Sequence, residues 1–588
     1  MNYKKALSEL LANCTSLPQE DLLAAIETPQ DVKLGHMAFP CFRLSKELKK
    51  APPVIAAELA AQILENRPAW LGEVKATGPY VNFFFERAVF ASNVLDEILN
   101  KGQNYGASGI GGGKNVVMDY SSPNIAKPLH VGHLGSTIIG HSLDKIHRFL
   151  GYNVTSINYI GDWGTQFGKM IVAYLKWGSK EDVEKNGIDG LVELYVRFHQ
   201  EADEDATLND EARAWVVKLQ NGDEEGLKLW NWFIELSLHE YERQYKRMGV
   251  SFDLYRGESY YNGKMDPFVD LLREKGLLKE SDGAQIVDLE EYNMPPCLIL
   301  RSDGGTLYPT RDIAAAADRY DCFKFDKSLY ITGQEQILHF SQFFKVLELM
   351  GYPWAEGLVH IPYGMFRFEH GKLSTRRGDV IKMEELMDEA IAKTRAIIEE
   401  KNPQLANKDT VAEQVGISAM IFNKLYTNRI KDTVFSWDLM LNFDGETGPY
   451  VQYAHARACS VLEKAGFRHC EERSNEAIQK ICDLWIASAS PRNDGMGSLL
   501  TEDESFEVLR IIYDFPAKIE EAAEKYEPFM IARQLVALAQ AFNSFYHHHV
   551  VLVDDQNLRQ ARLALVAAVQ TQLEIGLKLL GMSAPRAM

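Results

Sequence analysis

The sequence predicts a multidomain α/β protein in which a parallel-sheet domain is preceded by a small α+β domain and followed by an all-α helical bundle. Its 588 residues exceed what one hydrophobic core organises and imply three or four domains. The parallel sheet is read from the centre of the chain. An apolar run, Val116-Val117-Met118, is followed by a polar turn and then by Ile138, Ile139, Leu143, Ile146, Phe149 and Leu150 at helical spacing, ending at Gly151. A second β-type run, Asn153 to Ile160, comes at once. Strand, helix, strand at this spacing is a βαβ unit of Rossmann-like type, with its turn at the carboxyl end of the first strand. The bundle is read from the end of the chain, where after about residue 383 apolar residues recur at helical spacing.

Taken in order, residues 1–105 form the first domain. Tyr3 to Leu11 and Pro53 to Leu64 carry helical periodicity, and Pro52-Pro53 marks a helix start because proline suits the first turn. Between them, LGHMAFPCFRLSKELKK mixes aromatic and basic residues, which on their own read as a solvated face. Tyr80-Val81-Asn82-Phe83-Phe84-Phe85, after Gly78-Pro79, is a strand. GASGIGGGK, 106–114, is a linker; a phosphate-cradling loop would continue into GK[ST], and this one does not.

The sheet domain is expected over 106–440. Its first half runs from Lys114 to about Gly178. Residues 179–300 then turn to charged helical sequence, an insertion between the halves, with Trp215, Trp230, Trp232 and Phe233 read as core and GDEEG, 222–226, as a solvated loop. Three blocks mark the second half. TLYPTRDIAAAADR, 306–319, predicts a helix after Pro309 with Tyr308 and Asp312 one turn apart on a shared face. YITGQEQILHFSQFF, 330–344, is a strand running into a polar turn that holds Gln336, and GKLSTRRGDV, 371–380, is a polar loop. The helical domain is expected over 441–588, with helices in 448–466 and 528–552 and a loop at SASPRNDGMGS, 488–498.

Composition narrows the function classes. A hydrophobic content of 46% and a charged content of 25% are those of a globular protein without a membrane span. MNYKKALSELLANC is amphipathic and lacks the apolar core and cleavage site of a secretory signal. The seven cysteines form no CxxC pair and no closely spaced framework, which suits a cytoplasmic protein and implies no zinc site. The net charge of −19 disfavours indiscriminate binding to nucleic acid but leaves room for a local basic face.

The turn SSPNIAKPLHVGHLGST, 121–137, is where chemistry is expected. His130 and His133 stand on one face at the mouth of the helix, beside free backbone N–H groups and the helix dipole, and Lys127 adds a full charge. Such a place suits phosphate, and Gly132 removes a side chain where a nucleotide would lie on the backbone. An isolated HxxH is more often a pair of surface or core histidines. A zinc reading lacks a third ligand. Likewise Asp312 alone reads as a helix cap and Gln336 alone as a hydrated loop residue. As a set, Asp119, Tyr308 and Asp312 could enclose a planar cation with several donors.

HVGH with its flanks SSPNIAKPL and GDWGTQFGK, 161–169, resembles the HIGH signature of class I aminoacyl-tRNA synthetases in the form found in arginyl-tRNA synthetases, and later blocks extend the likeness over nearly the whole chain. The resemblance implies a ligase that makes arginyl-adenylate from L-arginine and ATP with Mg2+, then charges tRNA(Arg), as a monomer without structural metal. It implies that Lys127, His130, His133, Lys372 and Ser374 are catalytic, with His130, Gly132, His133 and Lys372 on ATP. Asp119, Tyr308 and Asp312 would hold the guanidinium, and Ser122, Asn124, His133 and Gln336 the amino and carboxylate end. KLSTR occupies the place of the KMSKS loop but has Thr375 where a second lysine is usual, which leaves Lys127 to compensate, while Arg376 and Arg377 assist it or form a solvated or tRNA-facing surface. Tyr80 and Asn82 would meet the tRNA elbow, and the last domain resembles the DALR-type anticodon-binding bundle. The rival readings are another class I synthetase, a tRNA-binding paralogue without activity, and a small-molecule nucleotidylyl transferase. Intact Lys127, His130, His133 and Lys372 weigh against the second of these, and the long helical domain against the third.

Overall fold

A computed structural model describes residues 1–29, 31–302, 304–368, 381–466 and 496–588. The KLSTRR block, with Lys372, Ser374, Thr375, Arg376 and Arg377, lies outside the described residues, as does most of the loop expected at 488–498. The chain falls into two compact units, one of residues 1–105, 454–516 and 537–575 and one of 106–453, 517–536 and 576–588.

In the first unit, β1 (Met37–Pro40), β2 (Leu71–Thr77) and β3 (Tyr80–Phe85) form an antiparallel sheet in the order β1-β3-β2. The β2–β3 hairpin turns at Gly78, whose φ of +56° is open to glycine at little cost. The helices Tyr3–Ala12 and Pro52–Glu65 and the strand β3 stand where the sequence predicts them. Tyr3 is fully buried against Trp70, Phe85, Phe90 and Tyr513, and its backbone N–H donates to the Tyr513 hydroxyl at 2.9 Å. The basic stretch becomes β1 and the helix Phe42–Leu48, with Arg43, Lys46, Lys49 and Lys50 exposed. The predicted all-α carboxyl-terminal part is present as helices Gly448–Lys464, Asp503–Lys525, Phe529–His548 and Gln556–Leu579.

The second unit holds β4 (Asn115–Asp119), β5 (Asn153–Asn158), β6 (Leu254–Tyr255), β7 (Leu278–Ser281), β8 (Ala284–Val287), β9 (Cys297–Leu300), β10 (Lys327–Gly333), β11 (Leu358–Tyr363), β12 (Phe366–Phe368) and β13 (Thr433–Phe435). The main sheet is all parallel in the order β11-β10-β4-β5-β6, so β4 lies at its centre and the chain order reverses beside it. Val117 and Ile157 on the sheet, Ile313 and Ala316 on the helix Tyr308–Phe323, and Phe343 and Leu347 on the helix Ile337–Leu349 share one core.

The insertion differs from the expected run of helices. After helices Lys180–Glu204, Thr207–Gln220 and Glu224–Met248 it supplies the sheet edge β6 and a separate antiparallel sheet, β7-β8-β9. Strands of two to four residues are too short to show the alternation by which strands are read. Of the aromatic residues read as core there, Phe233 is fully buried, whereas Trp215, Trp230 and Trp232 are half-buried, an indole being large enough to keep an edge in water.

The helix Val131–Phe149 crosses the sheet and approaches β4 so closely that a Cβ at Gly140 would run into the Tyr120 ring, and one at Gly135 would lie 2.7 Å from Tyr363. Tyr120 is fully buried and cannot yield. Gly140→Ala should therefore destabilise the fold by about 1–3 kcal/mol despite alanine's higher helix propensity. Calorimetry of the full chain reads this as a lowered transition temperature, and an unchanged or raised one would contradict the close approach.

Candidate active site

The turn after β4 is strained and heavily braced. Ser121, Ser122 and Ala126 have φ of 74°, 52° and 61°, in the left-handed region that side chains disfavour by about 1–3 kcal/mol each. Hydrogen bonds hold them there: Ser121 N–H to Ser136 Oγ at 2.9 Å, Ser122 N–H to Asn158 Oδ1 at 3.0 Å and Ala126 N–H to Ser237 Oγ at 3.1 Å. The Tyr241 hydroxyl lies 2.7 Å from the Asn124 carbonyl and 2.6 Å from that of Lys127. Gly161 joins this turn to the GDWG segment, donating to the Pro123 carbonyl at 3.0 Å and accepting from Ile125 N–H at 3.0 Å. A Cβ at Gly161 would strike Asn124.

The two histidines cap the helix. His130 is the N-cap, its Nδ1 accepting the Gly132 N–H at 3.1 Å, and His133 Nδ1 accepts the His130 N–H at 3.1 Å. The Val131 N–H is used by the Ile381 carbonyl at 3.2 Å and the His133 N–H by the His130 carbonyl at 2.8 Å. The free N–H groups expected at this helix mouth are thus already engaged, because the imidazoles reach back to them. With both Nδ1 atoms accepting, both rings carry their proton on Nε2 and become donors themselves. Burial, together with the charge of Lys127, lowers the pKa of both rings, that of His133 to about 3, so both stay neutral. The rings lie side by side with centroids 3.9 Å apart, and Lys127 is exposed at their flank.

Beside them, at the carboxyl ends of β4 and β10, is a cavity of about 390 Å3 lined by Asp119, Ser122, Asn124, Tyr308, Asp312 and Gln336, among others. Asp119 is spoken for on both oxygens, by the Ser122 hydroxyl at 2.8 Å and by Arg319 at 2.7 Å, a buried ion pair. Asp312 accepts from His339 at 2.7 Å, and Tyr308, 67% exposed, stands at the rim. Glu258 also lines the cavity. Its carboxyl is pushed up to about 7 by burial and by Asp312 and Asp162, against the pull of Arg311 at 2.8 Å.

A family model described as "tRNA synthetases class I (R), catalytic domain" matches residues 94–437, "Arginyl tRNA synthetase N terminal domain" matches 1–85 and "DALR anticodon binding domain" matches 451–588. Arginine–tRNA ligases of Halothermothrix orenii and Alkaliphilus metalliredigens are 48% and 50% identical, with 100% of both chains covered in each case. The chain belongs to the class I arginyl-tRNA synthetase family. The arginyl-tRNA synthetase of Thermus thermophilus, 26% identical, superposes with a TM-score of 0.79 over 100% of both chains.

In this member of the family, the structure brings together Asp119, Ser122, Asn124, Tyr308, Asp312 and Gln336 around the cavity, and Lys127, His130, Gly132 and His133 at the helix cap. It puts Tyr80 and Asn82 on β3 of the other unit, Tyr80 edge-on to Phe42 and Asn82 5% exposed with its amide on Thr77 Oγ1 at 3.1 Å. Sequence reasoning missed Glu258, Arg319 and His339. Arg319 had a signal, seven residues after Asp312 and so on the same helix face. Glu258 had none, since it follows the unrecognised strand β6. Among the described residues no group of three or more His, Cys, Asp or Glu side chains is disposed to hold a metal ion, and no helix is long and apolar enough to cross a membrane.

The capping geometry has a direct spectroscopic consequence. Histidine 15N spectra of the full chain should show His130 and His133 as neutral Nε2–H tautomers at pH 7, with His133 failing to titrate down to pH 5. A titration of His133 near 6.5 would contradict the assignment.

Proposed function

We propose that this chain acts as an arginine–tRNA ligase whose named side chains divide the work as follows. L-Arginine is activated with ATP and passed to the 3'-terminal adenosine of tRNA(Arg). The arginine carboxylate attacks the α-phosphorus, the bond from that phosphorus to the bridging oxygen breaks, and pyrophosphate leaves with the electron pair. The observation that carries this reading is a carboxylate-rich cavity at the carboxyl edge of a parallel sheet, next to a helix capped by two neutral imidazole donors.

His130 and His133 would donate their Nε2 protons to phosphate oxygens as charge shifts, Gly132 leaves the nucleotide room on the backbone, and Lys127 meets the leaving pyrophosphate. Lys372 and Ser374 belong to the loop expected to close over ATP, and Arg376 and Arg377 to its tRNA side. Mg2+ arrives with ATP, and no residue here is assigned to it. Tyr308, Asp312 and Glu258 would take the guanidinium, with Asp119 and Arg319 as the floor, while Ser122, Asn124, His133 and Gln336 take the amino and carboxylate end. Residues 1–105, through Tyr80 and Asn82, would meet the tRNA elbow, Asn82 first releasing Thr77, and 441–588 the anticodon. The ligase is expected to work in the cytoplasm as a monomer.

The direct test is charging of bulk tRNA by the full chain with each amino acid in turn. Arginine alone should be esterified; charging with a different amino acid would overturn the substrate assignment.

Glu258 adds a pH dependence. Its carboxyl is protonated below about 7 and attracts a cation only when ionised, so arginine affinity should rise as pH rises through 7, with proton release on binding below it. KM for arginine should fall between pH 6 and 8 in the wild type and stay flat over that range in Glu258→Gln. The same slope in both proteins would remove Glu258 from the binding set.

A further inference from the structure

A second cavity in the same unit, of about 600 Å3, shares no lining residue with the first. Lys145, Arg243, Lys246, Arg247 and Lys578 line it, against one carboxylate, Glu413, among the described residues. The two guanidiniums are held in fixed directions, Arg243 by Glu240 at 2.7 Å and by Glu384, Arg247 by Asp388 at 2.7 Å, Glu413 at 3.3 Å and Glu384 at 3.7 Å. Asp144, the carboxylate adjoining Lys145, is turned to Arg148 at 2.8 Å. Lys145 itself is half-buried, and burial, with Arg148 and Lys578 nearby and Asp144 acting the other way, disfavours its charged form. An anion seated between these ammonium groups would relieve that cost.

The rest of the lining mixes apolar Met248, Ile417, Ile421 and Met582 with neutral polar Thr410, Gln414, Ser418 and Ser583. Gly249 and Gly581 add backbone without side chains. His141, one helical turn before Lys145, is 4% exposed, and its ring lies against Gly581; among the described residues neither ring nitrogen has a hydrogen-bond partner of normal geometry. A volume of this size, lined by cationic side chains together with apolar and neutral polar ones, matches a compact organic anion.

We propose that this cavity binds a phosphate-bearing small molecule of nucleotide size, at a place distinct from the candidate active site. The phosphates would meet Lys145, Lys246 and the two oriented guanidiniums, and the organic part would rest on Met248, Ile417 and Met582. Lys145 and His133 lie on one helix, twelve residues and so about 18 Å apart, which puts the two sites at opposite ends of a rigid element.

The test is equilibrium dialysis of the full chain against labelled GTP, with the active site saturated by a non-hydrolysable arginyl-adenylate analogue and with unlabelled inorganic tripolyphosphate as competitor. One GTP per chain should be retained, displaced by tripolyphosphate, and weakened about tenfold or more in Lys246→Glu and in the Lys145→Ala, Lys246→Ala double variant. Arginine-dependent pyrophosphate exchange should stay within about twofold of wild type. Lys246 is exposed, so Lys246→Glu decides the matter even if the double variant does not fold. Failure of wild type to retain GTP, or equal retention by Lys246→Glu, would overturn the proposal. So would binding of tripolyphosphate without GTP, or a loss of tRNA affinity in Lys246→Glu with no GTP bound by wild type, which would mark the face as an RNA contact.

Discussion

The buried pair of Asp119 and Arg319 ties the last residue of the central strand β4 to a helix 200 residues further along the chain. Arg319 is 1% exposed and lies over the faces of Tyr159 and Tyr330, at 5.1 Å and 5.2 Å from their centroids. Removing either partner would strand the other's charge in the interior, a loss of about 3–5 kcal/mol by the usual scale for such pairs. The pair also sets the orientation of the helix Tyr308–Phe323 and so of Asp312, two turns earlier. Around the cavity, Arg311 and Arg319 stand against Asp119, Glu258 and Asp312. Two guanidiniums against three carboxylates leave one negative charge in excess when all are ionised, which suits a singly charged guanidinium side chain.

The helix cap solves two problems with the same atoms. Backbone N–H groups at a helix start must be satisfied, and the usual solution is a small hydroxyl or carboxylate. Here two imidazoles do it through Nδ1, which obliges each to carry a proton on Nε2. An aspartate cap would satisfy the backbone equally well and, being acceptor-only, would offer no outward donor. The strained turn before the cap fits the same economy, since Ser121, Ser122 and Ala126 bring Asn124 and Lys127 to the sheet edge only by adopting φ values that need the bracing of Ser136, Asn158 and Ser237 in turn.

Much of this was legible from residue order. The βαβ unit, β3, the amino-terminal helices and the pairing of Tyr308 with Asp312 follow from periodicity and turn residues, because each is a local pattern long enough to read. The turn residues Ser122 and Asn124, the histidine pair and Asp119 were placed by motif. What escaped was decided across distance. Nothing local says that Asp119 will meet an arginine from the chain itself before any ligand, that His339 will bond Asp312, or that imidazole rings will consume the N–H groups they were expected to leave open. The short strands β6 to β9 were lost for another reason: two to four residues are too few to show a period, and in β9, where burial does alternate, all four residues are apolar.

The strand order has a consequence for synthesis. β4 pairs on one side with β5, made shortly after it, and on the other with β10, whose residues Lys327 to Tyr330 come more than 200 positions later. At about 5–20 residues per second, the central strand of a growing chain waits on the order of 10 to 40 seconds with one edge unpaired. That edge, Asn115 to Asp119, is short and mostly apolar, the kind of surface that recruits stray strands. The hydrogen-bonding partner of that edge is β10, so the edge stays open to stray strands until β10 emerges.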